Sequence, residues 1–386
     1  MRIALLSRRF DPHGGGTERD LIITAECLRA AGHEITIFAR EVRGTSQNLA
    51  QNFKVVKVGG IALGRTMGLL SFAYGAPKLA RREGAELVLS FARTIGADVM
   101  RSGGGAHISY LRAARQWRGP LQWRAMRASP YHRAQVFIER RGFASLHLKA
   151  AIAVSNLVRD DLIREFRLPG EKVFTLYNGV DLDRFTPPRD DSARREIRSS
   201  LDIVDGAPMV AFVGNGFGRK GLRFLLEAWP SVARGAHLMV VGADQKSRWY
   251  QREALRLGVG SRIHFAGAMH DVTQIFHGAD AIALPSLFEP FGNVVMEALA
   301  SGLPVLSSAQ SGASELLPES LQRFVVGNPT DPAEIAKNMT ELLEADGVLR
   351  AVARATAERY TWHTYAGKLL AIISTITGGR DAGSKP

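Results

Sequence analysis

The chain has 386 residues, 46% hydrophobic and 23% charged, the balance of a soluble globular protein with length for two domains. Its single cysteine, Cys27, excludes a disulfide framework and a cysteine metal site, and no apolar run approaches the roughly 18–20 residues of a spanning helix. The net charge of +13 is segregated: residues 1–170 carry 27 Lys+Arg against 13 Asp+Glu (+14), and the remainder 23 against 24 (−1). Such an asymmetry points to an anionic partner, whether nucleic acid, a phosphate-bearing glycolipid or an acidic bilayer face.

In chain order, Arg2–Ser7 reads as a buried parallel strand, too short in its apolar part for a secretory leader. A glycine turn, Gly14-Gly15-Gly16, then opens an amphipathic helix to about Ala31, and Ile35–Phe38 forms the next strand. This βαβ start brings bare backbone at Gly15 and Gly16 to where a phosphate approaches. The glycines are consecutive and lack the G-x-G-x-x-G spacing, which argues against a dinucleotide-dependent dehydrogenase. Strands are expected at 53–58 and 87–91, and a helix from about Leu69 to Arg82. Arg101–His107 reads as a second glycine loop, and His107 is the histidine of most interest. Between Arg101 and Arg141 nine arginines meet one acid, Glu139, interleaved with Tyr110, Trp117, Trp123, Met126 and Tyr131. That composition suits an anionic membrane interface, a phosphorylated sugar or single-stranded nucleic acid. A helix is expected over Phe137–Leu148, a strand at Ala150–Val154, and a helix over 157–166 capped at Ser155-Asn156.

Val173–Leu176 leads into Tyr177-Asn-Gly-Val-Asp-Leu-Asp-Arg-Phe185, whose Asp181 and Asp183 sit at a linker and are not expected to bind metal. Pro208–Val213 begins a second alternating unit, with a glycine loop, Gly214–Gly221, that carries Arg219 and Lys220 into a helix over 222–233. Strands at His237–Val241, Ile263–Gly267 and Ala279–Leu284 follow, with a helix at about 248–257. The stretch Leu284–Pro304 reads as strand end, tight loop, helix and stop: Asn293 is expected to cap the helix, and Gly302 with Pro304 to end it. Glu289 and Glu297 bracket that loop with seven residues between them, beside the backbone N–H groups of Phe291, Gly292, Asn293 and Val294. A last helix runs past Tyr365 and Leu369–Ile376, and the tail after Thr377 is expected to be disordered.

The glutamate pair, Tyr177–Phe185 and Phe217-Gly-Arg-Lys-Gly221 together resemble the retaining GT-B glycosyltransferases of family 4, most of all their lipopolysaccharide-core glucosyltransferase branch. The resemblance covers nearly the whole chain and is weaker between about 40 and 135. It implies an α/β GT-B fold of two Rossmann-like doubly wound domains facing a central cleft. The expected divisions are an acceptor-binding domain at 1–180, a nucleotide-sugar domain at 181–358, and a C-terminal helix at 359–378 crossing back to the first. It further implies transfer of glucose from UDP-glucose, without metal or cofactor, to a lipopolysaccharide-core or similar acceptor. Glu289 would hold the transferred sugar, Glu297 the nucleotide ribose, Arg219 and Lys220 the diphosphate, and Gly15 and Gly16 the phosphates or acceptor. His107 would face the acceptor and sugar, and Ala268–Asp271 would pack the base. Relatives carry an arginine where this chain has Asn215. The expected setting is the cytoplasm, peripheral on an anionic membrane through the basic first half. A GDP-mannose-dependent mannosyltransferase is the nearest alternative. A nucleic-acid-binding protein would explain the charge but not the glutamate pair, so no nucleic-acid partner is expected.

Overall fold

The computed structural model describes every residue except 13, 44–52, 61–62, 205, 234, 270, 346 and 379–386. The chain divides into two compact units: Met1–Arg112, Gly119–Asn178 and Trp362–Pro386 form the first, and Ala113–Arg118 with Gly179–Thr361 the second. The expectation for the tail, from residue 379 on, and that for the base loop at residue 270 fall on residues outside those described.

The first unit runs β1 (Arg2–Phe10), α1 (Gly16–Ala30), β2 (Glu34–Val42), β3 (Lys54–Lys57), α2 (Gly64–Arg82), β4 (Leu87–Ser90), β5 (Val99–Ser102), α3 (His107–Ala113), α4 (Pro120–Ala128), α5 (Pro130–Phe143), β6 (Ala150–Ala153), α6 (Asn156–Phe166) and β7 (Val173–Thr175). Its seven strands pair in parallel in the order β3-β2-β1-β4-β5-β6-β7. Ile3–Leu6 and Ala150–Ala153 are fully buried, as strands covered by helices on both faces must be. Ser155 accepts the Val158 N–H and caps α6, as its sequence signals. Two expectations change here. The helix placed over Phe137–Leu148 starts at Pro130, where a proline at the first helical position is pre-set for the turn, and stops at Phe143. Val99–Ser102 is a strand, because Arg101 is neutralised within the fold: its guanidinium donates to Asp20 Oδ2 at 2.8 Å and to Asn178 Oδ1 at 2.7 Å.

The second unit runs α7 (Ser192–Ser199), β8 (Met209–Val213), α8 (Leu222–Ala228), β9 (His237–Val241), α9 (Ser247–Arg256), β10 (Ile263–Gly267), α10 (Thr273–Gly278), β11 (Ala281–Ala283), α11 (Asn293–Ala300), β12 (Val305–Ser308), α12 (Glu319–Gln322), β13 (Val325–Val326), α13 (Pro332–Glu344) and α14 (Val348–Glu358). Its parallel strands follow the order β10-β9-β8-β11-β12-β13. The helix expected over 222–233 ends at Ala228 and tightens into a short 3-10 turn at Trp229–Ser231, where Pro230 cannot continue the α ladder. The last helix, α15 (Trp362–Thr377), belongs to the first unit: Tyr365, Leu369, Ile372 and Ile373 recur at helical spacing and enter that core, and the Tyr365 hydroxyl meets Thr24 Oγ1 at 3.0 Å.

Both sheets reverse direction at their first strand. In an open parallel sheet the loops leaving the carboxyl ends of the two strands at such a reversal diverge, which opens a crevice. The crevices lie after β1 and β4 in the first unit, and after β8 and β11 in the second.

Candidate active site

In the second unit the chain leaves β8 through Gly214–Gly221. Gly214 has φ +137°, and a Cβ there would collide with the Lys220 side chain; Gly221 has φ +80°, and a Cβ there would collide with the Pro285 carbonyl. Glycine at both places lets the loop fold under itself and carry Arg219 and Lys220 to the loop that follows β11. Lys220 Nζ donates to Glu289 Oε2 at 2.8 Å, Arg219 Nη1 donates to the same oxygen at 2.9 Å and to the Phe288 carbonyl at 2.8 Å. Lys220 is buried and the Glu289 side chain is 14% exposed. Burial alone would raise the Glu289 pKa, but Lys220 and then Arg219 outweigh it and hold the carboxyl down at about 2. Two cations thus converge on one carboxylate, a local charge of +1.

The Glu289 backbone is fixed as well. Its N–H donates to Gln310 O at 2.9 Å, and its carbonyl accepts the Gly312 N–H at 3.0 Å. Phe291 O accepts from Ala313 N at 2.7 Å and from Ser311 Oγ at 3.1 Å. Gly292, at φ +101°, occupies the N-cap of α11 with Asn293 and Val294 in the first turn. The expectation that Asn293 caps the helix is therefore corrected: the left-handed backbone at the cap favours glycine. Glu297 is buried one turn further along α11, and Gly302 ends the segment in left-handed conformation, as its sequence position foretells. Asn215 accepts the Ala243 N–H at 2.8 Å and so ties two loops together. Asp181 Oδ1 accepts the N–H groups of Asp183 and Arg184. Among the described residues, no three His, Cys, Asp or Glu side chains cluster as metal ligands would.

The crevice of the first unit holds a cavity of about 590 Å³, bordered by the β1 and β4 ends and by Gly103–Gly105. Five arginines, Arg8, Arg9, Arg65, Arg93 and Arg101, line it against three carboxylates, Glu18, Glu41 and Glu139. Gly15 is the N-cap of α1 and Gly16 its first residue, at the rim of this crevice beside Thr17 and Glu18. The sequence reading passed over Glu139 as a partner. The Glu139 carboxylate accepts the His107 N–H at 2.9 Å and Arg93 Nε at 2.6 Å; burial raises its pKa and Arg93 opposes the rise. His107 is buried, and its Nε2 lies 2.9 Å from His132 Nδ1. Burial, then Arg93 and His132, lower the His107 pKa to about 3. His132 was also missed, although it stands seven residues before Glu139 on one helix face, a readable signal.

Of the basic aromatic segment, Arg101 and Tyr131 line that cavity, whereas no residue of α4 does. On α4 only Met126 is buried, Leu121 is 78% exposed, and Arg127 stacks over the Trp123 ring at 4.9 Å. A second cavity, of about 480 Å³, has Arg112, Arg127, Arg133 and Arg140 around Leu111 and Phe137.

Two successive parallel α/β units, each with its crevice at the sheet reversal, have the GT-B fold. Residues 14–184 match the Glycosyltransferase Family 4 model and residues 207–345 the model described as Glycosyl transferases group 1, and the chain belongs to these group 1/family 4 enzymes. It is 25% identical to the lipopolysaccharide glucosyltransferase WaaG of Escherichia coli K12 over 347 residues, 89% of this chain and 90% of that protein. A crystal structure of WaaG, a glycosyltransferase involved in lipopolysaccharide biosynthesis, matches with a TM-score of 0.79 at 23% identity, covering 98% and 100% of the two chains. The D-inositol 3-phosphate glycosyltransferase of Corynebacterium efficiens is 26% identical over 428 residues, 100% of this chain and 98% of that protein. Anabaena HepE in complex with UDP-glucose shares the fold with a TM-score of 0.73 at 19% identity, over 97% and 100% of the two chains.

Proposed function

We propose that this enzyme transfers glucose from UDP-glucose, with retention and without a metal, to a sugar hydroxyl of a lipopolysaccharide-core or similar anionic glycolipid. The observation that carries the reading is the convergence of Lys220 and Arg219 on Glu289 at the second crevice. A departing diphosphate gains negative charge, and two positioned cations favour it most where that charge appears. The first turn of α11 adds N–H dipoles of the same sign. Glu289 orients the sugar hydroxyls and Glu297 binds the ribose. The bond from the anomeric carbon to the diphosphate oxygen breaks while the acceptor oxygen bonds to that carbon on the same face. The acceptor proton passes to the departing diphosphate oxygen, so no side chain serves as covalent nucleophile.

The donor choice is supported by the nucleotide sugar bound in the Anabaena relative. Arg93 and Arg101 in the first unit's cavity are held by Glu139 and Asp20, and Arg8 and Arg65 beside them favour an acceptor bearing phosphate, because guanidinium matches phosphate oxygens two at a time. The exposed Leu121 and the arginines of α4 supply a peripheral contact with an anionic bilayer, on the cytoplasmic face. No described helix is long and apolar enough to cross a membrane.

Thermal stabilisation by nucleotides and nucleotide sugars, without metal, tests the reading. UDP and UDP-glucose should raise the midpoint, and Glu297→Ala should abolish the shift. Stabilisation by GDP-sugars would point to the mannosyltransferase alternative. A response only to NAD or an oligonucleotide would overturn the proposal.

A further inference from the structure

The cavity of the first unit holds more positive charge than its carboxylates neutralise, and the surplus gathers on one side chain. Arg93 pairs with Glu139 at 2.6 Å, Arg101 with Asp20 at 2.8 Å, and Arg9 with Glu18 at 3.7 Å. The remaining carboxylate of the lining, Glu41, pairs with Arg43 at 3.7 Å. Arg8 and Arg65 meet no carboxylate among the described residues, and both turn to Tyr131. Arg8 Nη1 donates to the phenol oxygen at 3.2 Å, and the Arg65 guanidinium stands 4.7 Å from the centre of the ring. All three side chains line the cavity.

Three separate elements bring these groups together. Arg8 lies near the carboxyl end of β1, Arg65 in the first turn of α2, and Tyr131 in the first turn of α5. The Tyr131 ring packs on a small core of Leu69, Ala73, Ala134 and Ile138, which fixes its oxygen in place. That oxygen accepts from Arg8, and its own hydrogen has no acceptor among the described residues; Arg8 Nε is buried without a partner. A neutral phenol cannot balance two cations, and like charges gathered on one ring repel until an anion joins them. Two guanidinium forks and one phenol O–H suit the oxygens of a phosphate, and a charge of +2 matches a monoester, which carries about two negative charges where a diester or a carboxylate carries one. We propose that Arg8, Arg65 and Tyr131 form a clamp for a phosphomonoester borne by the acceptor sugar. The acceptor role rests on the glycosyl-transfer reading; the binding of a phosphomonoester does not.

The test is calorimetric titration of the full chain, at about pH 7.5 and about 0.15 M salt, with three anions and separately with UDP. The anions are glucose 6-phosphate, glucuronate, and glycerophosphoglycerol, a diester of the kind a lipid headgroup carries. Glucose 6-phosphate should bind at least about tenfold more tightly than the other two. Arg8→Gln and Arg65→Gln should each weaken it about tenfold, and Tyr131→Phe, which keeps the ring and removes the hydroxyl, about fivefold. Arg65→Lys, which keeps the charge and loses the fork, should fall between the parent and Arg65→Gln. Arg65 is exposed, so its replacement leaves the core intact, and UDP binding by each variant reports on the fold. Equal affinity for the three anions, or glucose 6-phosphate binding indifferent to both arginine variants, overturns the clamp. A parallel loss of UDP binding in those variants also overturns it, because the two arginines would then serve the donor diphosphate. If UDP binds and glucose 6-phosphate does not, the clamp falls and the glycosyl-transfer reading stands. If glucose 6-phosphate binds as stated and UDP does not, that reading falls and the clamp stands.

Discussion

Glu289→Gln separates the two roles of its carboxylate, support of the loop and restraint of the cations. The carboxyl falls from 4.5 to about 2 in the folded chain, a difference of about 2.5 units, or about 3 kcal/mol at 1.36 kcal/mol per unit. A depressed carboxyl stabilises the fold above its ordinary pKa, and that contribution is lost as pH falls from about 4.5 towards 2. The side chain is 14% exposed, so 3 kcal/mol is an upper value. Glutamine keeps the size but removes the charge, and the variant should be less stable by about 3 kcal/mol at pH 7, the low end of the roughly 3–5 kcal/mol for a broken buried pair. The same change raises the local charge from +1 to +2. Attraction between unit charges about 4 Å apart runs from about 1 kcal/mol in water to about 4 kcal/mol near a protein surface. UDP should therefore bind about tenfold more tightly to Glu289→Gln, while turnover of UDP-glucose falls because the sugar loses its carboxylate. Calorimetric UDP titration at pH 7 and urea unfolding from pH 2 to pH 7 read both effects. Weaker UDP binding, or a pH–stability profile that superimposes on the parent between 2 and 4.5, would refute the reasoning.

Gly221→Ala must hold a left-handed backbone and displace the Pro285 carbonyl; the first alone costs roughly 1–2 kcal/mol, so a loss of at least about 2 kcal/mol in urea is expected, with UDP stabilisation lost in parallel. Because the His107 pKa is about 3, its protonation contributes nothing to the pH–rate profile from about pH 5 to about pH 8, and His107→Gln should lower kcat of UDP release by the same factor across that range. Leu121→Asp combined with Arg124→Glu should abolish co-sedimentation with vesicles containing phosphatidylglycerol, and the parent's binding should weaken steeply between 0.05 and 0.5 M salt, at roughly those concentrations; binding insensitive to both changes would remove the bilayer from the proposal.

Much of the fold was legible because parallel strands covered on both faces need unbroken apolar runs, as at Ile3–Leu6 and Met209–Val213. The misses have a common cause in distant partners. Arg101 disguised β5 as loop, since its charge is met by Asp20 and Asn178, which lie 81 and 77 residues away in sequence. Similarly, Arg133 and Gln135 hid the apolar period of α5, and the reading began that helix at Phe137 although Pro130 marks its start. The capping role given to Asn293 followed a residue preference, whereas the loop geometry needed φ +101° at Gly292.

The candidate site shows how far topology can replace such distant signals. Arg219 and Lys220 stand 70 and 69 residues before Glu289, and no local pattern joins them. Yet β8 and β11 are neighbours in the sheet, paired through Ala281–Val210 and Ile282–Ala211. Right-handed crossovers and a reversal at the first strand place the loops after these strands side by side. Once the second unit is read as an open parallel sheet reversing at β8, a basic loop after β8 and an acidic loop after β11 become adjacent. Their ion pair then follows from charge, and Gly214 and Gly221 are the residues that remove the steric obstacle to it. His132 has no such derivation: its meeting with His107 depends on how α5 packs against the start of α3, a helix placement that strand order leaves open.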